Sequence, residues 1–199
     1  MQALLAAAKD GQVELVRALI SEGADVDDTD ASENTALIWA AFKGHTACVE
    51  LLIDAKANIE ARNDNAMTAL MRATQGGHPA CVRRLIDGNA DVDARNKFGE
   101  SALLIAVQCG YIRCMEPHKC PHLPCAQLLI DANANLEIEK RRNGDTALLA
   151  SLYERRFLRI LIEAKANIEA KNFYGHTLLM CAAIKCCSKT LQRKSESRG

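Results

Sequence analysis

A chain of 199 residues, 49% apolar and 25% charged, holds enough material for a buried core and does not have the composition of a disordered segment. Its 25 basic and 25 acidic side chains cancel, so no global field draws it toward nucleic acid or an anionic membrane. Its aromatic content of 4% argues against a base-stacking platform, and no apolar run approaches the ~20 residues of a membrane-spanning helix.

The opening segment, MQALLAAAKDGQVELV, lacks a basic leader and meets charge at Lys9 and Asp10, so no secretory signal is expected. The nine cysteines are therefore read as reduced thiols of the cytosol or nucleus. From Thr35 the chain begins to repeat itself. TALIWAAFKGHTACVELLIDAKANIEA, from Thr35, aligns with TALMRATQGGHPACVRRLIDGNADVDA, from Thr68, at an offset of 33 residues. Ala24, Ala57, Ala90, Ala134 and Ala166 mark one shared position in steps of 33, 33, 44 and 32. The long step reflects about eleven added residues, 111–121; beyond them one residue is gained near Lys140 and two are lost around Glu154–Phe157.

Within a unit, Leu37, Ile38, Ala40 and Ala41 fall at helical spacing, and Thr35 stands where a helix cap would. Gly44-His45 breaks this first helix, and Val49, Leu51, Leu52 and Ile53 give a second helix, Thr46–Ala55, its own apolar face. Neither helix is long enough to be stable alone, so neighbouring units must stack to bury a core.

The period, the Thr-x-Leu-x-x-Ala pattern and the helix pair resemble the ankyrin-repeat family, with Thr-Ala-Leu standing where the family usually has Thr-Pro-Leu-His. The resemblance implies an all-α solenoid of about six helix-turn-helix units with short hairpin fingers between them. By register the repeat domain covers 1–187, in units of about 1–28, 29–61, 62–94, 95–139 with its insert at 111–121, 140–170 and 171–187. A polar tail, 188–199, is expected to be disordered.

Several groups invite a chemical reading. Cys48, Cys81 and Cys125 share one register beside apolar neighbours and are expected to be small buried core residues. His45 and His78 follow the inter-helix glycines, and the resemblance makes them turn-stabilising. The insert carries the candidate zinc ligands Cys114, His118, Cys120 and His122, but their spacing is not that of a standard zinc finger, and its prolines suit a loop without helix. The expectation is therefore no metal and no cofactor. Asp27, Glu60, Asp93, Glu137 and Glu169 share another register, expected to form a solvated ladder with the pairs Glu60–Arg62, Asp93–Arg95 and Glu169–Lys171. No phosphate loop, nucleophile elbow or zinc-protease helix is present.

The resemblance points to a non-catalytic interaction module, an adaptor, scaffold or inhibitor, binding another protein through a concave face of fingers and first helices. In that register the exposed positions begin with Asp30, Glu33, Phe42, Asn63, Asp64 and Asn65. They continue through Arg72, Gln75, Lys97, Phe98 and Gln108 and end at Arg141, Arg142, Tyr153, Phe173 and Tyr174. The row runs from acidic to basic. Neither nucleic acid nor membrane is expected as partner, and the chain is read as a monomer of the cytoplasm, with the nucleus as the other compartment. The competing readings are a targeting segment of a larger enzyme and a zinc-responsive binder built on the insert.

Overall fold

Four of the repeats begin at a hydroxyl. In the computed structural model, which describes residues 2–113 and 120–185, Thr35 Oγ1 accepts the N–H of Ile38, and Thr68, Ser101 and Thr146 do the same for Met71, Leu104 and Leu149. The helices that follow form pairs. They are α1 (Gln2–Asp10) with α2 (Val13–Ser21), α3 (Ala36–Lys43) with α4 (Thr46–Asp54), and α5 (Ala69–Gly76) with α6 (Pro79–Asp87). Next come α7 (Ala102–Arg113) with α8 (His122–Asp131), and α9 (Ala147–Ala150) with α10 (Arg155–Glu163), joined by a 3-10 turn, Ser151–Tyr153. A further helical run, α11, covers 178–185. No strand occurs among the described residues; one isolated bridge joins Thr29 and Thr35.

First helices stack on first helices and second helices on second helices, giving two layers. Leu37, Ile38, Ala40 and Ala41 are fully buried between neighbours, as are Cys48, Val49 and Leu52 in the other layer. Burying each of the larger side chains contributes roughly 1.5–3 kcal/mol. Alanine at the closest approaches lets the layers meet at their backbones, while Leu85, Leu103, Leu129 and Leu161 fill the wider spaces.

A second link joins neighbours at the helix turns. Gly44 and Gly77 end α3 and α5 in the left-handed conformation, with φ of 81° and 73°. The ring of the following unit's histidine lies against each such glycine. His45 Nε2 meets the Lys9 carbonyl at 3.1 Å, His78 the Phe42 carbonyl at 3.0 Å, and His122 the Gln75 carbonyl at 3.3 Å. A Cβ on Gly44 would sit 2.4 Å from the His78 ring, so glycine is required for the contact as well as the turn. The fifth pair has Glu154 where the histidine would be. There Phe157, in the register of the buried cysteines, is fully buried and brings its ring against Gly110.

Two expectations need correction. The insert is not wholly loop: α7 runs on to Arg113, because Gly110 does not take the left-handed turn and no Gly-His pair stops the helix. The remaining insert residues 114–119, and the expected disordered tail 188–199, lie outside the described residues. Nor does the acidic register pair with its bases. Asp27, Glu60, Asp93 and Glu137 each accept, at 2.8 Å, the backbone N–H of Asn58, Asp91, Asn135 and Asn167 in the next unit. None of Glu60–Arg62, Asp93–Arg95 and Glu169–Lys171 forms an ion pair, and Arg62 instead reaches the Arg95 carbonyl at 3.1 Å. A buried or shared backbone donor needs an acceptor, and the carboxylate serves that need before it can serve a solvated cation.

Two predictions follow from this framework. The left-handed position after each second helix holds Gly23, Lys56, Asn89, Asn133 and Lys165, and Lys56 carries a φ of 66° without glycine's freedom. Lys56→Gly is expected to raise the urea midpoint, by about 0.5–1 kcal/mol in stability. Burial lowers the pKa of His78, against the opposing bond to the Phe42 carbonyl, with His45 nearby adding to the lowering. The fold therefore favours neutral imidazole. Its contribution is complete above pH 6.5 and is lost as pH falls through the folded value. Urea melts at neutral and mildly acidic pH should show lower stability in acid, and His78→Asn should reduce that difference.

Candidate functional site

The fingers are built by side chains that hydrogen-bond their own loops. Asp30 Oδ1 accepts the N–H groups of Ser32 and Asn34, both at 2.9 Å. Asn63 Oδ1 takes those of Asn65 and Met67, and Asn96 Oδ1 those of Phe98 and Glu100. Asn172 repeats the arrangement with Tyr174 and His176. One backbone bond then ties each finger to the next: Asp64 N–H to Ser32, Lys97 to Asn65, Arg141 to Phe98 and Phe173 to Asn143, at 3.0–3.1 Å. The finger tips thus form a fixed row (the residue gained near Lys140 is absorbed inside its finger, where Gly144 rather than the residue before it bonds the Lys140 carbonyl).

This scaffold sorts the candidate residues. Glu33, Asp64, Asn65, Lys97, Phe98, Arg141, Arg142, Phe173 and Tyr174 are exposed. Asp30, Phe42, Arg72, Gln75 and Gln108 are half-buried, and the side chain of Tyr153 lies outside the described residues. Asn63, expected to be exposed, is 5% exposed and donates to Asn34 Oδ1 at 2.8 Å. It is part of the frame rather than of the surface.

Two different environments occupy the row. At the first end Trp39 donates its indole N–H to Asp30 Oδ2 at 2.7 Å and meets Phe42 edge-on at 6.2 Å. Lys9 lies 4.6 Å above Trp39, and the Arg72 guanidinium 4.5 Å above Phe42. Arg72 also donates to Gln75 Oε1 at 2.8 Å. Burial pushes the Asp30 carboxyl upward, but the bonds from Asn34, Trp39 and Ser32 outweigh it and hold the pKa below its ordinary value.

At the second end Glu100 is saturated. Its Oε1 accepts from Lys140 at 2.8 Å and Gln108 at 3.1 Å, and its Oε2 accepts from Asn96 at 3.0 Å. Burial opposes the ionised form, yet these three donors together lower its pKa. The pair forms one wall of a cleft of about 520 Å3, completed by Lys97, Phe98, Arg141 and Arg142. A smaller cleft of about 190 Å3 adjoins it through Phe98 and Glu100, and reaches Arg72 and Gln75. One surface therefore runs continuously from the aromatic–cation cluster to the basic fingers.

The profile of ankyrin repeats, three copies, matches residues 1–63 and 56–117. The chain belongs to the ankyrin-repeat family. None of the curated proteins compared with it matches. Ankyrin repeats bind other proteins, and on the row of fingers this ankyrin chain exposes Phe98, Phe173 and Tyr174 together with Lys97, Arg141 and Arg142.

The cysteine- and histidine-rich insert takes a different form from the one its composition suggests. His122 is 2% exposed, and its bond to the Gln75 carbonyl places it in the inter-repeat histidine series. Cys120 is disulfide-bonded, a correction to the reading of all nine cysteines as reduced thiols, while Cys114 and His118 lie outside the described residues. Among the described residues no three His, Cys, Asp or Glu side chains converge as metal ligands. Cys48, Cys81 and Cys125 are free and fully buried. Burial, with Cys81 nearby, pushes the Cys125 thiol up to about 12, which keeps it protonated.

Sequence reasoning left Trp39, Lys9, Glu100 and Lys140 out of the site. For Trp39 a signal existed: it stands four residues after Thr35, as Arg72 stands four after Thr68, so both share the face of Phe42. With one tryptophan in the chain, its emission reports this cluster alone. Asp30→Asn keeps an oxygen for the two loop N–H groups but sets an amide donor against the indole N–H. Circular dichroism should stay unchanged, Trp39 emission should shift, and stability should fall by about 1 kcal/mol.

Proposed function

We propose that this ankyrin chain is a non-catalytic recognition module, acting as an adaptor, scaffold or inhibitor, whose partner lies along the concave face of fingers and first helices. The observation that carries this reading is the exposure of Phe98, Phe173 and Tyr174, at 57%, 62% and 71%, beside Lys97, Arg141 and Arg142 on one hydrogen-bonded row. Exposed aromatic and arginine side chains are the types that anchor interfaces. Because finger-to-finger bonds already fix the backbone, binding orders little more of this chain than the side chains themselves. Surface complementarity is then the whole mechanism, with no reacting group required.

The unit we have in mind is a single repeat domain over 1–187, monomeric and working in the cytoplasm or nucleus. Cys48, Cys81, Cys125 and Cys181 carry no disulfide, as a reducing compartment would keep them, whereas the disulfide at Cys120 runs against that compartment. No described helix is long and apolar enough to cross a membrane.

Crosslinked pull-down from source cells, followed by rebinding to variants, tests the reading. Phe98→Ala with Lys97→Glu and Arg142→Glu should weaken partner binding by about tenfold or more, with folding intact. Arg83→Glu with Glu14→Lys, on the exposed second-helix layer, should leave binding unchanged. The reverse pattern would place recognition on the opposite face.

A further inference from the structure

The basic end of the row has an imbalance that its own surroundings do not relieve. Lys97, Arg141 and Arg142 are exposed around the 520 Å3 cleft, and the cleft's one carboxylate, Glu100, has both oxygens occupied by Lys140, Gln108 and Asn96. Arg141 is steered rather than neutralised: its Nη1 donates to the Lys97 carbonyl at 3.3 Å, and its stem packs beside Gly99. Neither Lys97 nor Arg142 has an ion-pair partner among the described residues. Phe98, 57% exposed, stands among these three cations and supplies an apolar surface large enough to receive one side chain. At the other end of the row the cations are engaged, Lys9 over Trp39 and Arg72 over Phe42, and Glu33 and Asp64 are exposed there.

Resting on the docking face proposed above, we infer that its partner presents an extended acidic segment, at least two carboxylates flanking one aromatic or aliphatic side chain. The apolar side chain enters the cleft against Phe98, and the carboxylates meet Lys97, Arg141 and Arg142. Charge complementarity sets the register. The acidic part lies over the third and fourth fingers, because Glu33 and Asp64 would repel it at the Trp39 end. An apolar wall favours a peptide over a nucleic-acid strand, whose affinity would rest on phosphate contacts and stacking along a longer basic track.

Panning random dodecapeptides on phage against the full chain gives an unbiased probe. The expected consensus contains two or more Asp or Glu around an aromatic or aliphatic residue. A synthetic consensus peptide should bind more weakly as salt rises and lose about tenfold in affinity with Lys97→Glu plus Arg142→Glu, and again with Phe98→Ala. Arg141 is left intact because it bonds the finger backbone. A neutral or basic consensus that is still lost with Phe98→Ala would overturn the acidic partner while leaving the docking face. Peptides indifferent to both variants would overturn both. Failure to enrich any peptide, or equal binding of dodecathymidylate through the same residues, would also overturn the acidic-segment proposal.

Discussion

The burial of Leu37, Ile38, Ala40 and Ala41 between neighbouring first helices is the interaction on which the rest of the molecule depends, because helices of eight and nine residues do not persist alone in water. Stability is then a sum over interfaces rather than the property of one central core. The contrast with α11 makes the point. Leu179 and Met180 hold the register of Leu37 and Ile38, yet are 74% and 50% exposed, as befits a helix with no later neighbour among the described residues. Polar links reinforce the first three interfaces at two heights, the histidine-to-carbonyl bond at the helix turn and the carboxylate-to-backbone bond after the second helix, and the fourth keeps the carboxylate bond.

The same stacking produces function by holding loops still. Fingers would be mobile as isolated turns, but Asx-type bonds close each of them and a backbone bond joins each to the next. Side chains at the tips inherit a fixed spacing of one repeat, so Lys97 and Arg141 occupy adjacent fingers with the Phe98 backbone between them. Recognition by such a row is a matter of which side chains stand on it, and here aromatic–cation contacts stand at one end and uncompensated basic charge at the other.

Much of this was legible in the chain itself, for physical reasons. A period of 33 residues with Thr-Ala-Leu and Gly-His at fixed places can be read because each unit must solve the same packing problem. The helix limits, the threonine caps and the buried cysteines followed from that. The acidic ladder was misread because composition shows a carboxylate and a nearby base, whereas its partner is a backbone N–H thirty-one residues away in the case of Glu60. Likewise Asn63 looks like a surface amide until its neighbour Asn34 is in place. His122 was ambiguous because it closes a Cys/His-rich stretch, although it stands three residues before Cys125 as His45 and His78 stand before Cys48 and Cys81, and its bond to Gln75 agrees with that place. The site's charge balance was likewise beyond sequence, since Glu100 and Lys140 are brought together only by stacking.

Hydrogen–deuterium exchange on the full chain, alone and with its captured partner, tests the central claim most directly, because it maps contact and stacking together. Added protection should fall on the fingers around residues 95–100 and 140–145 and on the exposed edges of α5 and α7, with α4, α6 and α8 unchanged. Protection confined to α4, α6 and α8 would contradict the account.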